Sequence, residues 1–309
     1  MISWCKTVIT SPLGSTISVL SFGGRRVIID TGHPGHAADT VARLEAQGLL
    51  VGVEAILLTH SHADHVGAAA ALHDKTGAPV LSLKPVVHGK FLAEQARLKL
   101  VPPRYTVDRC LADGEILECA GEKIAVLHTP GHSDDHACFF LESRRALFCG
   151  DLFGHEDIGT LDVMHSWRES LDMMVGSVRR VVSLKPLLVF PGHSTHRKDV
   201  GRLFEQVEKR FRTYRGSPTI LVAHTMMPLL LLLIASQGTM SMDAVRAYTV
   251  DHIDFFQGFM EGIGVEMLND ELDKIVVILE LKGILHREND MLSLTIPRFM
   301  RTRGLGETV

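Results

Sequence analysis

Aromatic residues are scarce in this 309-residue chain: two Trp and three Tyr, with 6% aromatics in all. There is no excess of basic charge: 32 Lys plus Arg stand against 36 Asp plus Glu, for a formal net charge of -4. That balance does not favour non-specific attraction to nucleic acid or to an anionic membrane surface. The five cysteines (Cys5, Cys110, Cys119, Cys138, Cys149) are widely spaced and odd in number, and no C-x-x-C pair occurs. A zinc ribbon, a redox pair and a disulfide framework are therefore not expected, and a reducing cytoplasm suits the chain. Cys138 and Cys149 fall in apolar runs and read as inert buried thiols. The opening residues lack a charged start followed by an apolar core, so no signal peptide is expected. The longest apolar stretch, 220–235, is short for a membrane span and contains His224 and Pro228. It reads as a buried helix at a domain or dimer interface, which leaves a homodimer open. No membrane partner is expected.

What the chain has is histidine, 17 of them. It also has enough apolar residues, 46%, for a sizeable core. Short β-type runs at 16–22 and 26–30 flank a Gly23-Gly24 turn, a hairpin signature. A helical pattern at 37–47 precedes an apolar run at 53–59 that ends on His60. Helix 66–75 and a short strand at 80–82 follow, and repeated strand–loop–helix units predict α/β layers. Residues 84–109 are irregular and read as an insertion able to cover a site, with a helix at 91–100. Strand patterns return at 115–118, 123–128, 137–141, 146–149 and 187–190, with helices at 167–182 and 200–214. The Arg215-Gly216-Ser217-Pro218 break predicts a boundary, giving domains 1–215 and 216–309. Beyond it, helices at 226–236, 243–248 and 266–281 and a final hairpin outline a winged helix.

The chemistry concentrates in Thr59-His60-Ser61-His62-Ala63-Asp64-His65. Four metal-binding side chains lie within six residues, directly after a buried strand. His60 and His62 are placed to bind one cation through neutral imidazole, while Asp64 and His65 face a neighbouring one. Three further ligands follow in order: His132 in Pro130-Gly131-His132, Asp151 in Cys149-Gly150-Asp151, and His193 in Pro191-Gly192-His193. Each ends a strand pattern beside a glycine, which lets backbone pass close to the site.

This pattern resembles the metallo-β-lactamase superfamily, with its H-x-H-x-D-H loop and later His, Asp and His, and all seven positions match. The resemblance covers about residues 8–200. It implies an α/β fold, a four-layer αββα sandwich, followed here by the mainly helical, winged-helix-like C-terminal domain. It also implies one metal on His60, His62 and His132, and another on Asp64, His65 and His193, with Asp151 bridging. The implied activity is that of a dinuclear metal-dependent hydrolase using a metal-bridging hydroxide, with Asp64 also able to orient that hydroxide or carry a proton. Zinc is the default for imidazole and carboxylate ligands, and iron or manganese would also be accepted. In the family an aspartate placed like Asp30 supports the metal site by holding the free ring nitrogen of a ligand histidine. Asp134, Asp135 and His136 read as turn-forming residues with some tuning of the site. His155, His165 and His196 lie on loops from which they could reach substrate, though each also reads as an ordinary loop residue. His33 and His36 read as ordinary loop residues, and His73, His88, His224, His252 and His286 carry no supporting pattern.

Fold and metal set do not name the substrate. The central motifs resemble the lactamase-beta-2-like branch, some of whose members cut single-stranded RNA, and relatives that hydrolyse thioesters or lactones. Residues 201–309 carry 12 Lys plus Arg and 14 Asp plus Glu, a net of -2. A winged helix that binds RNA usually needs a basic face, so a small-molecule ester, thioester, lactone or phosphodiester is expected ahead of RNA. Two other readings stay open: an iron-dependent oxidoreductase of the same fold, and a metal-binding regulatory protein with little turnover.

Overall fold

The computed structural model describes residues 5–9, 15–83, 101, 103–154, 157–194, 196–251, 258–295 and 307–308. The chain opens with β1 (Cys5–Ile9), β2 (Thr16–Phe22) and β3 (Arg25–Ile29), followed by α1 (Ala37–Ala46) and β4 (Val53–Leu57). Next come α2 (Ala63–Val66), α3 (Ala69–Thr76), β5 (Val80–Ser82) and β6 (Arg109–Cys110). The second half of the sandwich holds β7 (Ile116–Cys119), β8 (Glu122–His128), β9 (Ala137–Leu141), β10 (Ala146–Gly150), α4 (Trp167–Ser183), β11 (Leu188–Pro191) and α5 (Val200–Gly216). The C-terminal part runs α6 (Pro218–Gln237), β12 (Thr239–Ser241), α7 (Met242–Asp251), α8 (Val265–Leu281), β13 (Leu285–Glu288) and β14 (Met291–Leu294). A last short strand, β15 (Glu307–Thr308), pairs with β1.

Two sheets form the sandwich, ordered β15-β1-β2-β3-β4-β5-β6 and β11-β10-β9-β8-β7. Period-two alternation sorts their side chains into layers. Val27, Ile29, Ala55, Leu57, Ile124, Val126, Phe139 and Phe148 meet between the sheets. The intervening Ile28 and Ile56 face the other way, onto α1 and α3 through Leu44 and Leu72. On the far sheet, Cys138, Phe140, Leu147 and Val189 face outward onto α4 and α5 through Leu171, Val178 and Leu203. This is the four-layer αββα arrangement. A one-residue slip in any of these strands would exchange its two faces, so the register is strongly specified.

The helix expected at 66–75 is two helices. The chain breaks between α2 and α3 where the Gly67 amide leaves the helical ladder to bond the Gly32 carbonyl at 2.8 Å. α4 begins at a complete capping box: Ser166 accepts from the Glu169 amide and the Glu169 carboxylate accepts from the Ser166 amide. The helix proposed for 91–100 lies outside the described residues.

The apolar stretch 220–235 is the body of α6, which starts on Pro218 and carries Pro228 inside it. Leu221, Val222, Met226, Leu230 and Ile234 are buried, in one apolar cluster with α4, α5 and α8. That cluster runs across the 215/216 break. Among the described residues no helix is long and apolar enough to cross a membrane. β12, β14 and β13 form a third sheet in that order, of which sequence patterns indicate only the final hairpin. β12 is three residues long, too short for period-two alternation to register.

Candidate metal centre

The four loop residues are positioned by the end of β4 and by α2. His60 lies three residues beyond β4, His62 precedes the first turn of α2, and Asp64 and His65 lie within it. His132, Asp151 and His193 arrive from the second sheet, just past β8, β10 and β11 respectively. Residues dispersed over more than 130 positions converge because both sheets deliver strand ends to one edge of the sandwich.

Two trios result. His132 Nε2 lies 3.2 Å from His60 Nε2 and 2.8 Å from His62 Nδ1. His193 Nε2 lies 3.4 Å from His65 Nε2 and 3.3 Å from Asp64 Oδ2. Asp151 sits between them: Oδ2 is 3.5 Å from His132 Nε2 and 3.1 Å from His193 Nε2, and Oδ1 is 3.3 Å from His65 Nε2. Ligand atoms of His60, His62 and His132, and of Asp64, His65 and His193, lie within 4.8 Å of one another in each trio. Asp151 Oδ1 is buried and accepts no hydrogen bond, an expensive arrangement unless a cation satisfies it. Imidazoles and carboxylates at these separations fit two divalent cations with Asp151 shared. Gly192 makes the approach feasible, because a Cβ there would collide with Asp151 Oδ1 and His65.

Buried partners fix which ring nitrogen faces the centre. Asp30 directly follows β3 in a left-handed conformation, φ 59°, and its Oδ2 accepts from His65 Nδ1 at 2.8 Å. The Thr59 hydroxyl donates to Asp30 Oδ2 at 2.8 Å and accepts from His60 Nδ1 at 3.0 Å. The Thr160 carbonyl accepts from His132 Nδ1 at 2.8 Å. Since a carboxylate and a carbonyl can only accept, each of these rings carries a proton on Nδ1 and turns Nε2 inward. Asp30 therefore reaches both trios, His65 directly and His60 through Thr59.

Charge divides the cluster in two. Burial, then neighbouring imidazoles, pushes His60 and His62 well below the usual histidine range, keeping them neutral. Burial opposes protonation of His65 and His193 as well, but nearby carboxylates outweigh it, Asp151 foremost. They raise His65 well above its ordinary value and His193 to about 10. The same attraction holds Asp64 and Asp151 low despite burial. A divalent cation at these carboxylates would take the place of the two imidazole protons.

Exposure is one-sided. The side chains of His65 and His132 are 0% and 4% exposed, whereas Asp64 and His193 are 32% and 31% exposed. The centre is closed behind and open along the Asp64–His193 edge.

The other described candidates join neither trio. His136 belongs to neither trio and sits against the Asp151 backbone. His165 pairs with Asp134 at 2.8 Å. His196 stacks on Phe190, centroids 5.5 Å apart. His155 lies outside the described residues. Asp135 accepts from Ser133 at 2.8 Å, the local bonding expected of that turn. His33 caps the turn at 34–36, its Nδ1 accepting from the Gly35 amide. Sequence reasoning missed Thr59 and Thr160. Thr59 stands directly before His60 and could have been found as its neighbour, but Thr160 acts through a carbonyl, which carries no residue signature.

Comparison with known proteins agrees with this geometry. The description "Metallo-beta-lactamase superfamily" matches residues 10–193, more than half of the chain. The chain is 33% identical over 191 residues to the lactamase-like protein adaB of Aspergillus niger, covering 60% of this chain and 52% of that one. It is 30% identical over 208 residues to the atrochrysone carboxyl ACP thioesterase dmxR1 of a Cryptosporiopsis species, covering 65% and 56%. The chain thus spans about half the length of the curated relatives it matches. Among solved structures, TTHA1623 in a di-iron-bound form aligns with TM-score 0.53 and 31% identity, covering 65% of this chain and 98% of that one. A metallo-beta-lactamase family protein from Thermus thermophilus, TTHA1429, shares the fold with TM-score 0.55 and 22% identity over 94% of this chain and 97% of its own. On the match across residues 10–193, with which the seven converging His and Asp side chains agree, the chain belongs to the metallo-beta-lactamase superfamily.

Proposed function

We propose that the chain is a dinuclear metal-dependent hydrolase of thioesters. The observation that carries this reading is the Asp151 carboxylate set between two trios, with one oxygen near His65 and the other near His132 and His193. His60, His62 and His132 would hold one cation and Asp64, His65 and His193 the other, with Asp151 shared. Such a pair lowers the pKa of water and polarises a carbonyl oxygen. The chain's own residues do the rest. Asp30 and Thr59 keep the His65 and His60 lone pairs aimed inward, and Asp64, at the open edge, is placed to orient the attacking water and take its proton. His193 borders the same opening, so substrate enters there. Cys138 and Cys149 are unsuited as nucleophiles: burial pushes the Cys138 thiol up to about 12 and holds Cys149 well above its ordinary value. Thioesters are favoured over other acyl or phosphoryl substrates because relatives about 30% identical are named thioesterases. Residues 201–309, with a net charge of -2, do not favour RNA as the substrate.

The test is elemental analysis of the purified chain, paired with turnover of an acyl thioester and of bis-p-nitrophenyl phosphate. Two metals per chain with thioester turnover is expected. Fewer than two would sink the dinuclear reading. Phosphodiester turnover without thioester turnover would sink the substrate class and favour a nuclease-like phosphodiesterase. Iron with redox turnover, and hydrolysis of neither compound, would move the assignment to an oxidoreductase. Bound metal with no turnover of any substrate would leave a regulatory metal protein. The metal found, whether zinc, iron or manganese, would settle its identity.

A further inference from the structure

His136 is fully buried and packs among the ligand rings, 5.3 Å from His60 and 5.9 Å from His132 between centroids, yet it belongs to neither trio. Its bonds run elsewhere. Nε2 accepts from the Asp151 backbone N–H at 3.1 Å, and Nδ1 lies 2.8 Å from Thr129 Oγ1. The Thr129 hydroxyl in turn points to Cys138 Sγ at 3.3 Å, so it gives its proton there and accepts the one on His136 Nδ1. The ring is therefore locked with its proton on Nδ1 and its lone pair on the Asp151 amide. It is also held by its own backbone, the His136 carbonyl accepting from the Thr129 amide at 2.8 Å.

The Asp151 amide needs such a partner. The β10–β11 ladder is irregular between Phe148 and Gly150, so regular strand pairing ends as the chain enters the site. Gly150 turns there with φ 44°, and a Cβ on it would fall 2.7 Å from Thr59 Oγ1 and 2.8 Å from His136 Nε2. The backbone is thus pressed against the imidazole, which substitutes for a strand carbonyl. An unpaired buried amide is costly and would be free to shift. A shift here moves the one carboxylate that both trios share.

We infer that His136 is a positioning residue: by accepting the Asp151 N–H it sets the place of the shared carboxylate, and so the affinity of the centre for its metal pair. This rests on the two-metal reading above.

The experiment compares His136→Gln with His136→Asn. Gln can put an oxygen acceptor where Nε2 stands, and Asn can put only its amide donor where Nδ1 stands. Metal affinity is read by titrating the apoprotein with cobalt(II) and following its visible absorption, which reports ligand geometry as well as occupancy. His136→Asn is expected to weaken binding about 10- to 100-fold, as loss of a group that orients a ligand does, and to alter the spectrum. His136→Gln is expected to stay within about threefold. Equal behaviour of the two folded variants, whether both bind like the parent or both are impaired alike, overturns the inference. If the Asn variant does not fold, Thr129→Val, which releases the ring from its fixed orientation, takes its place with the same expectation. In an Asp151→Ala background, His136→Asn should change the remaining affinity by less than about twofold, and an undiminished loss would show that His136 acts through general stability. Nitrogen-15 shifts of the metal-free chain should place the His136 proton on Nδ1, and the opposite tautomer would also overturn the inference. Metal content of the parent chain tests the two-metal reading separately: a parent with fewer than two metals refutes that reading, whereas a two-metal parent with silent variants refutes only the role of His136.

Discussion

The sandwich and the C-terminal helices bury different chemistry. Among the described residues, tyrosine aside, every buried polar or charged side chain except Thr225 precedes residue 195. Asp30, Thr59, His60, His65, Thr129, His132, Asp135 and His136 are all on the sandwich side. The C-terminal part buries Leu230, Ile234, Leu268, Leu272, Val276 and Leu279 and keeps its ion pairs, such as Arg246–Asp273 and Arg287–Glu280, toward solvent. Both regions are well packed, so packing does not distinguish function from support. Buried polarity does, because it is expensive unless each group is matched, and around the centre the matches aim ligands.

The contrast breaks most visibly at the shared carboxylate. Asp151→Ala removes the carboxylate set between the two trios. Metal content should fall below two per chain, and hydrolysis should drop by more than the roughly 100-fold typical of losing a mere orienting partner. Retained two-metal occupancy by elemental analysis would show that Asp151 does not bridge. Asp30→Asn comes next. It keeps the shape but makes one of the two carboxylate positions a donor, so the Thr59 amide bond to Oδ1 and the His65 bond to Oδ2 cannot both survive. A loss of about 10- to 100-fold in metal affinity is expected, measured by competition with a chromogenic chelator. An unchanged affinity would mean that Thr59 and the Asp151 side hold the rings unaided.

In the C-terminal part the expected effect changes kind. Leu272 is 1% exposed within the large apolar cluster. Leu272→Ala should lower unfolding stability by about 2–5 kcal/mol while leaving kcat per folded molecule and metal content as they were. Denaturant melts alongside metal analysis check this. A lost metal at intact fold would tie the tail core directly to the site and blur the division.

Legibility in the sequence follows the same line. The seven candidate metal ligands were readable because their types are rare, clustered and set at strand ends, and the strands because alternation is imposed wherever both faces of a sheet are covered. Asp30 was readable as a strand-end aspartate. What hides is chemistry carried by backbone. The Thr160 carbonyl that turns His132, and the Asp151 amide that His136 receives, leave no residue signature. His165 and His196 show how little a histidine near a site in sequence weighs by itself: His165 pairs with Asp134, and His196 stacks on Phe190. The break between α2 and α3 was hidden too, since it depends on the Gly32 carbonyl more than thirty residues upstream.

The smallest expected effect lies where the two regions meet. Tyr214, near the end of α5, is 1% exposed and donates its hydroxyl to Asp157 Oδ2 at 2.8 Å; Arg210 approaches the same oxygen at 2.9 Å. Burial, then the Asp157 charge, raises the Tyr214 hydroxyl well above its ordinary value, so it stays a donor at any working pH. Asp157 begins the segment that carries Thr160, whose carbonyl orients His132. Tyr214→Phe removes one hydrogen bond to a charged acceptor and leaves the ring packing in place, and Arg210 still pairs with Asp157. A loss of about 1–2 kcal/mol in stability is expected, with metal affinity changed by less than about twofold. If metal affinity falls further than stability, the polar joint transmits to the centre, and the helical region does more than support the sandwich.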